Sequence, residues 1–238
     1  MDSTYESAPP LTSEKHYETQ GPGIGMDGGA LDILRKCGYA ITPEYACLEV
    51  GFSQGVLLER LYREVGCKLI VGTDIAQASL DSLRNRVPTP PRIGNDDPRL
   101  LLWKQDASKD RITFPDDTFD LASCTETIEH LTDPYFMMAE VKRTLKHGCV
   151  FIVSFPQPTR NIGYGGGLHA HIYPGFLERA SWELFCKQLY FKVKYHEENG
   201  STDWYVLRNY KGPGMVDAFA MGSGNYEEAD LYACLEDF

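Results

Sequence analysis

Apolar positions in this chain come in short runs separated by stretches of helical period, and the alternation is steady from Tyr45 onward. Ala46-Cys47-Leu48-Glu49-Val50 is a compact apolar run that stops at Gly51-Phe52-Ser53-Gln54-Gly55, which predicts a buried strand and then a turn. Residues 56–64 set Leu57, Leu58 and Leu61 on one face, which predicts a helix. The pair of signals recurs as a strand over 68–74 and a helix over 76–86, and further strands are predicted over 100–105 and 119–124. A helix over 134–145 is followed by the turn Lys146-His147-Gly148 and a strand over 149–155. After a helix over 181–188, strands over 191–196 and 204–208 flank Glu198-Asn199-Gly200-Ser201, a hairpin signal. Strands alternating with helices imply a mainly parallel sheet covered on both faces. The expected fold class is therefore α/β: a doubly wound, mostly parallel seven-stranded sheet with a C-terminal antiparallel hairpin.

Three domain-level segments follow. Residues 1–25, rich in Pro, Ser, Thr and Gly and without periodicity, read as an arm that is loose or becomes ordered over a ligand. Residues 26–210 form the single domain, opening with a helix to about Lys36. Residues 211–238 are an acidic tail. A length of 238 residues and 42% hydrophobic content suit one domain with a real core. No apolar run is long enough to span a bilayer, and the N-terminus lacks a signal pattern, so a cytoplasmic location is expected. The seven scattered cysteines form no CxxC pair and read as reduced, mostly core thiols. The net charge of −11 argues against a nucleic-acid partner and for a small neutral or cationic one. Oligomeric state is open.

In an open α/β sheet, ligands bind beyond the carboxyl ends of the strands, near the point where strand order reverses. Three features fall there. Glu49 to Gly55 form a glycine-bearing turn after the first strand, where backbone can approach a ligand. Asp74 closes the second strand, where a carboxylate can accept bonds from two ribose hydroxyls. Asp106 follows the third and is placed to receive an exocyclic amine. An NAD-type oxidoreductase is the natural competitor, but it would want G-x-G-x-x-G facing a pyrophosphate. This turn lacks that register and has no basic residue ready for phosphate.

Residues 47–156 resemble the class I S-adenosylmethionine-dependent methyltransferases, especially the small-molecule group. The resemblance rests on the glycine turn, Asp74, Asp106, the strand-four segment Phe119-Asp120-Leu121 with Glu126-Thr127-Ile128-Glu129-His130-Leu131, and Leu145-Lys146-His147-Gly148-Cys149 before strand five. It implies a Rossmann-like domain and S-adenosyl-L-methionine as cofactor. It also implies cofactor contacts from Glu49, Gly51, Ser53, Gly55, Asp74, Asp106 and Glu126, with methyl transfer to a small-molecule acceptor; oxygen is the favoured site on that acceptor, with nitrogen and carbon left open. The chain departs from the family at two positions: Ser53 replaces the central turn glycine, and Phe52, placed to crowd the pocket, replaces a small residue. These departures leave a second reading, a non-catalytic binding protein that keeps the fold.

Glu126, Glu129 and His130 are spaced i, i+3, i+4, so a helical stretch would set them on one side. His169-Ala170-His171 lies in a glycine-rich loop beyond strand five. The Glu-x-x-Glu-His pattern resembles the metal-binding motif of small-RNA 2′-O-methyltransferases and the same stretch in ubiquinone-pathway O-methyltransferases. By that resemblance Glu126, Glu129, His130 and His169 are candidate ligands for a divalent metal, with Mn²⁺ or Zn²⁺ suiting the mixed set better than Mg²⁺. Without a metal, His130, His169 or His171 is the candidate general base. Tyr17, Tyr164, Tyr173, Phe176, Trp204 and Tyr205 are candidate walls of the acceptor pocket.

Overall fold

The computed structural model describes residues 29–85, 97–157 and 177–211. The arm, most of the tail, the Pro-rich connection and the glycine-rich loop with His169 and His171 lie outside the described residues.

Strands β1 (Ala46–Val50), β2 (Leu69–Asp74), β3 (Leu100–Lys104), β4 (Phe119–Thr125), β5 (Leu145–Pro156), β6 (Phe191–Asn199) and β7 (Thr202–Asn209) form one sheet ordered β3-β2-β1-β4-β5-β7-β6. The first five are parallel, and β7 runs antiparallel to both β5 and β6. Strand order reverses between β1 and β4, so the crevice for a ligand opens there.

Side chains alternate across each strand, and both faces are apolar. On one face Leu48, Val50, Ala122, Cys124, Phe151 and Val153 pack against helices α4 (Pro134–Thr144) and α5 (Arg179–Gln188) through Met137, Met138, Val141, Trp182 and Cys186. The other face carries Cys47, Ile70, Leu121, Ile152 and Val206. It receives α1 (Gly29–Lys36), α2 (Val56–Arg60) and α3 (Gln77–Asn85) through Leu31, Leu34, Leu57, Leu58, Leu80 and Leu83. Each such leucine contributes about 1.5–3 kcal/mol on burial. Gly72 makes the second layer possible. A Cβ there would lie 2.5 Å from Leu58 and 2.9 Å from Phe52.

Several expected boundaries change. α2 continues into a single wider turn over Leu61–Val65 and stops at Gly66, with φ 75°. The helix expected to reach residue 145 ends at Thr144, and Leu145 is already extended. Lys146-His147-Gly148 is not a separate turn but part of β5. Leu145 pairs with Phe119 and Val150 with Leu121, so the intervening residues bulge, with Gly148 at φ 73°. Lys146 Nζ reaches Asp120 Oδ1 at 2.6 Å and Arg208 Nε donates to Gly148 O at 2.9 Å, contacts that hold the bulge in the ladder. The hairpin turn is also tighter than expected: Asn199 pairs with Thr202, leaving only Gly200 and Ser201 between the strands. No helix among the described residues is long and apolar enough to cross a membrane.

Candidate cofactor and acceptor site

β1 ends in a turn whose conformation its sequence permits. Gly51, at φ 73°, donates its N–H to Thr73 O at 2.8 Å. A Cβ on Gly51 would fall 2.3 Å from the Thr127 side chain, and Thr127 Oγ1 lies 3.1 Å from Gly51 O. The turn and the segment after β4 are thus clamped across the switch point. Ser53 takes a left-handed conformation, φ 47°, and donates its N–H to Asp74 Oδ2 at 2.8 Å. Gly55, φ 69°, closes the turn through its N–H to Phe52 O and starts α2. Phe52 does not crowd a pocket: it is fully buried in the core with Leu57, Leu58 and Ile70.

Asp74 is the centre of this arrangement. Its Oδ1 accepts the Ala76 N–H at 2.9 Å, its Oδ2 the Ser53 N–H, and the Ser79 side chain adds a further bond. Burial raises its pKa, and these donors partly oppose the rise. Gln105 N–H donates to Asp74 O at 2.8 Å and brings in the end of β3. Asp106 beside it accepts the Ser108 N–H on Oδ1 at 3.0 Å and meets Lys109 Nζ on Oδ2 at 3.0 Å. Glu49 is fully buried on β1, opposite Gly72 and Ser123. The structure therefore gathers Glu49, Gly51, Ser53, Gly55, Asp74 and Asp106 at the carboxyl ends of three adjacent strands. Three carboxylates around a turn without a basic residue suit a ligand that offers hydroxyls, amines and positive charge rather than a pyrophosphate.

The end of β4 differs from expectation. Glu126 has φ 47° and Thr127 φ −135°, and only Ile128–His130 form a short 3-10 turn. Glu126 is thus outside the helical turn, and the expected single face of Glu126, Glu129 and His130 is not formed. Its carboxylate turns toward β5 and β7, where Oε1 accepts from Ser154 Oγ at 3.0 Å and the Thr202 hydroxyl also bonds it. Burial pushes the Glu126 carboxyl up to about 7. Glu129 is 1% exposed, and burial together with the Glu126 charge holds its carboxyl well above the usual range. Glu129 Oε2 has no hydrogen-bond partner, and Oε1 lies 3.6 Å from His130 Nε2. Ser53 and Glu126, both non-glycine residues at positive φ, mark the two sides of the crevice, where backbone strain commonly accompanies function.

Among the described residues, Glu126, Glu129 and His130 do not draw their ligand atoms into one tight group. A group the sequence reading missed does so: His196, Glu198 and Asp203, with ligand atoms within 4.8 Å of one another. Trp204 and Tyr205, expected as pocket walls, are core residues at 4% and 0% exposure. Tyr17, Tyr164, His169, His171, Tyr173 and Phe176 lie outside the described residues.

Residues 48–153 match a family model described as a methyltransferase domain, a span that contains Glu49, Asp74, Asp106 and Glu126. Residues 48–153 carry a methyltransferase domain, and the fold around it is that of the class I S-adenosylmethionine-dependent methyltransferases. Solved structures share the architecture of this methyltransferase domain. A chain from the complex of the Haloferax volcanii Trm112 methyltransferase activator superposes with a TM-score of 0.61 at 13% identity, over 84% of this chain and 99% of that one. The S-adenosylmethionine-dependent methyltransferase from Mesorhizobium loti gives 0.58 at 16% identity, over 78% and 100%. The methyltransferase domain of bacterial CtHen1-CN gives 0.56 at 19%, over 76% and 96%. At such identities the likeness is one of fold. No curated protein matches the chain. S-adenosylmethionine is the cofactor the methyltransferase family implies, and the acidic, phosphate-averse donor set fits it.

Proposed function

We propose that the domain holds S-adenosylmethionine along Glu49, Gly51, Ser53, Gly55, Asp74 and Asp106 and directs its methyl group to a hydroxyl oxygen of a small-molecule acceptor beside Glu126. The observation that carries this reading is the Glu126 carboxyl. Its pKa lies at about 7 at the switch point, next to the buried Glu129, whose carboxyl is held well above the usual range. S-adenosylmethionine supplies, when bound, a methyl group on a positively charged sulfur. Asp74 keeps the turn in place through Ser53 and closes β2, where ribose hydroxyls would share its oxygens with the Ser53, Ala76, Ser79 and Ile75 donors. Asp106 would take the adenine amine. Glu126 would accept the acceptor's hydroxyl proton, a role worth about 10²–10⁴ in rate, while alignment supplies the larger share. His130, whose Nε2 lies 3.6 Å from Glu129 Oε1, is the alternative base on the same segment. The turn of Glu126 toward Ser154 and Thr202, away from His130, favours transfer without a metal at this position. The net charge of −11 disfavours a nucleic-acid acceptor.

The test is calorimetry with S-adenosylhomocysteine, followed by transfer of labelled methyl to pools of hydroxylated and amino acceptors. Binding with label on oxygen is expected. Tight NAD binding with no response to S-adenosylhomocysteine would overturn the reading. Cofactor binding with no labelled product from any pool would favour a non-catalytic role.

A further inference from the structure

We propose that His196, Glu198 and Asp203 form a site for one divalent transition-metal ion of the zinc type on the β6–β7 hairpin. This site is separate from the cofactor residues and does not rest on the proposed reaction. The register builds it. His196 and Glu198 are two residues apart on β6 and so share a face, while Glu198 stands directly opposite Asp203 and His196 opposite Tyr205. Their ligand atoms lie within 4.8 Å of one another, and His196 Nε2 is 3.0 Å from Asp203 Oδ1. Two ligand atoms each about 2.0–2.1 Å from a shared ion stand roughly 3.0–3.4 Å apart, so this pair already has the required bite.

A plain His196–Asp203 contact accounts for the 3.0 Å distance, while Glu198, which has Arg179 as a charged neighbour, stands beside that pair. Like charges directly opposite on adjacent strands are destabilising, and Glu198, being exposed, is free to turn into water. A cation between the carboxylates removes that repulsion. The two inner ligands are held in place: the His196 ring stacks on Tyr205 with centroids 4.4 Å apart, and Gln157 Nε2 donates to Asp203 Oδ1 at 3.2 Å. Their side chains are 11% and 10% exposed, so an ion would be partly desolvated, with Glu198 on the open side. One imidazole with two carboxylates selects Zn²⁺ or Mn²⁺ over the all-oxygen preferences of Ca²⁺ and Mg²⁺. Three protein ligands leave a position for water or a ligand oxygen. The site borders the acceptor end, because Asp203 follows Thr202, which bonds Glu126, but strand alternation turns it to the opposite face of the sheet.

The experiment is titration of the full-length, chelator-stripped protein with ZnCl₂ and MnCl₂ by calorimetry, alongside thermal melts. One zinc per chain is expected, with a zinc-dependent rise in melting temperature. Glu198→Gln should weaken binding by about tenfold or more, and His196→Ala should abolish it. Glu198 is exposed, so its variant decides the matter if His196→Ala does not fold. Glu129→Gln should leave the zinc isotherm unchanged, which separates this site from the Glu126–His130 segment. No zinc binding by the unmodified chain would overturn the proposal. So would binding that survives Glu198→Gln and His196→Ala but is lost in Glu129→Gln. S-adenosylhomocysteine binding, measured on the same samples, reports on the proposed function independently.

Discussion

Ser53 donates its backbone N–H to Asp74 Oδ2 across 2.8 Å from a left-handed conformation with φ 47°. That bond ties the turn after β1 to the end of β2 and sets the shape of the crevice. For an L residue the left-handed region is about 1–2 kcal/mol unfavourable. A glycine would relieve this but lose about 0.5–1 kcal/mol in chain entropy. Ser53→Gly should therefore leave the bond intact and raise stability by up to about 1 kcal/mol, read as a small upward shift in denaturation midpoint. A marked loss of stability would show that the Ser53 side chain holds the turn.

Asp74 supports both the turn and the proposed ribose contact, and two substitutions separate the roles. Asp74→Asn keeps one oxygen for the Ser53 or Ala76 N–H. It should weaken S-adenosylhomocysteine binding by about 1.5–3 kcal/mol through loss of charged hydrogen bonds. Asp74→Ala should lose more thermal stability than Asp74→Asn, because both buried donors of Ser53 and Ala76 lose their acceptor rather than one. Unchanged affinity in Asp74→Asn would remove Asp74 from the cofactor site.

Phe52 is a core residue despite its place in the ligand turn. Phe52→Ala should cost about 3–5 kcal/mol of stability, as large-to-small changes in a packed core do. Improved cofactor affinity with little loss of stability would instead return Phe52 to the pocket.

The β1-α2-β2 unit was legible because its signals are local: an apolar run, a glycine turn and leucines at helical spacing. Asp74 and Asp106 were legible for the same reason, as polar residues closing apolar runs. What the sequence hid was set by partners distant in the chain. Lys146-His147-Gly148 reads as a turn, yet Asp120 and Arg208 hold it within β5. Glu126 has the right spacing to join Glu129 and His130 on a helix, but Ser154 and Thr202 pull its carboxylate the other way. The His196–Glu198–Asp203 group depends on register. Spacing along the chain ends one strand at His196 and puts Glu198 in a four-residue turn, which leaves Asp203 without a partner. Phe52 was misread because no local pattern tells that Gly72 leaves room for its ring.

Glu126 offers the sharpest test of the proposed chemistry, because its folded pKa of about 7 has consequences for both stability and rate. Its carboxyl is raised from an ordinary value of 4.5, so between these limits the folded chain binds more protons than the unfolded one. The stabilisation from this group is fully present below the unfolded pKa and is lost as pH rises through about 7. It amounts to about 3 kcal/mol at most. Glu129, raised in the same direction, adds to the fall. Glu126→Gln should therefore flatten the decline in stability between pH 5 and 8, measured by urea denaturation across that range. The rate should move the opposite way. A base works only when deprotonated, so turnover in the unmodified chain should rise with pH along a limb centred near 7. In Glu126→Gln the limb should vanish and turnover fall by about 10²–10⁴. A limb that survives Glu126→Gln with its midpoint unmoved would assign the proton transfer elsewhere, to be sought by single substitutions at His130, His169 and His171. The stability measurement would still report whether the buried carboxyl carries the shifted pKa.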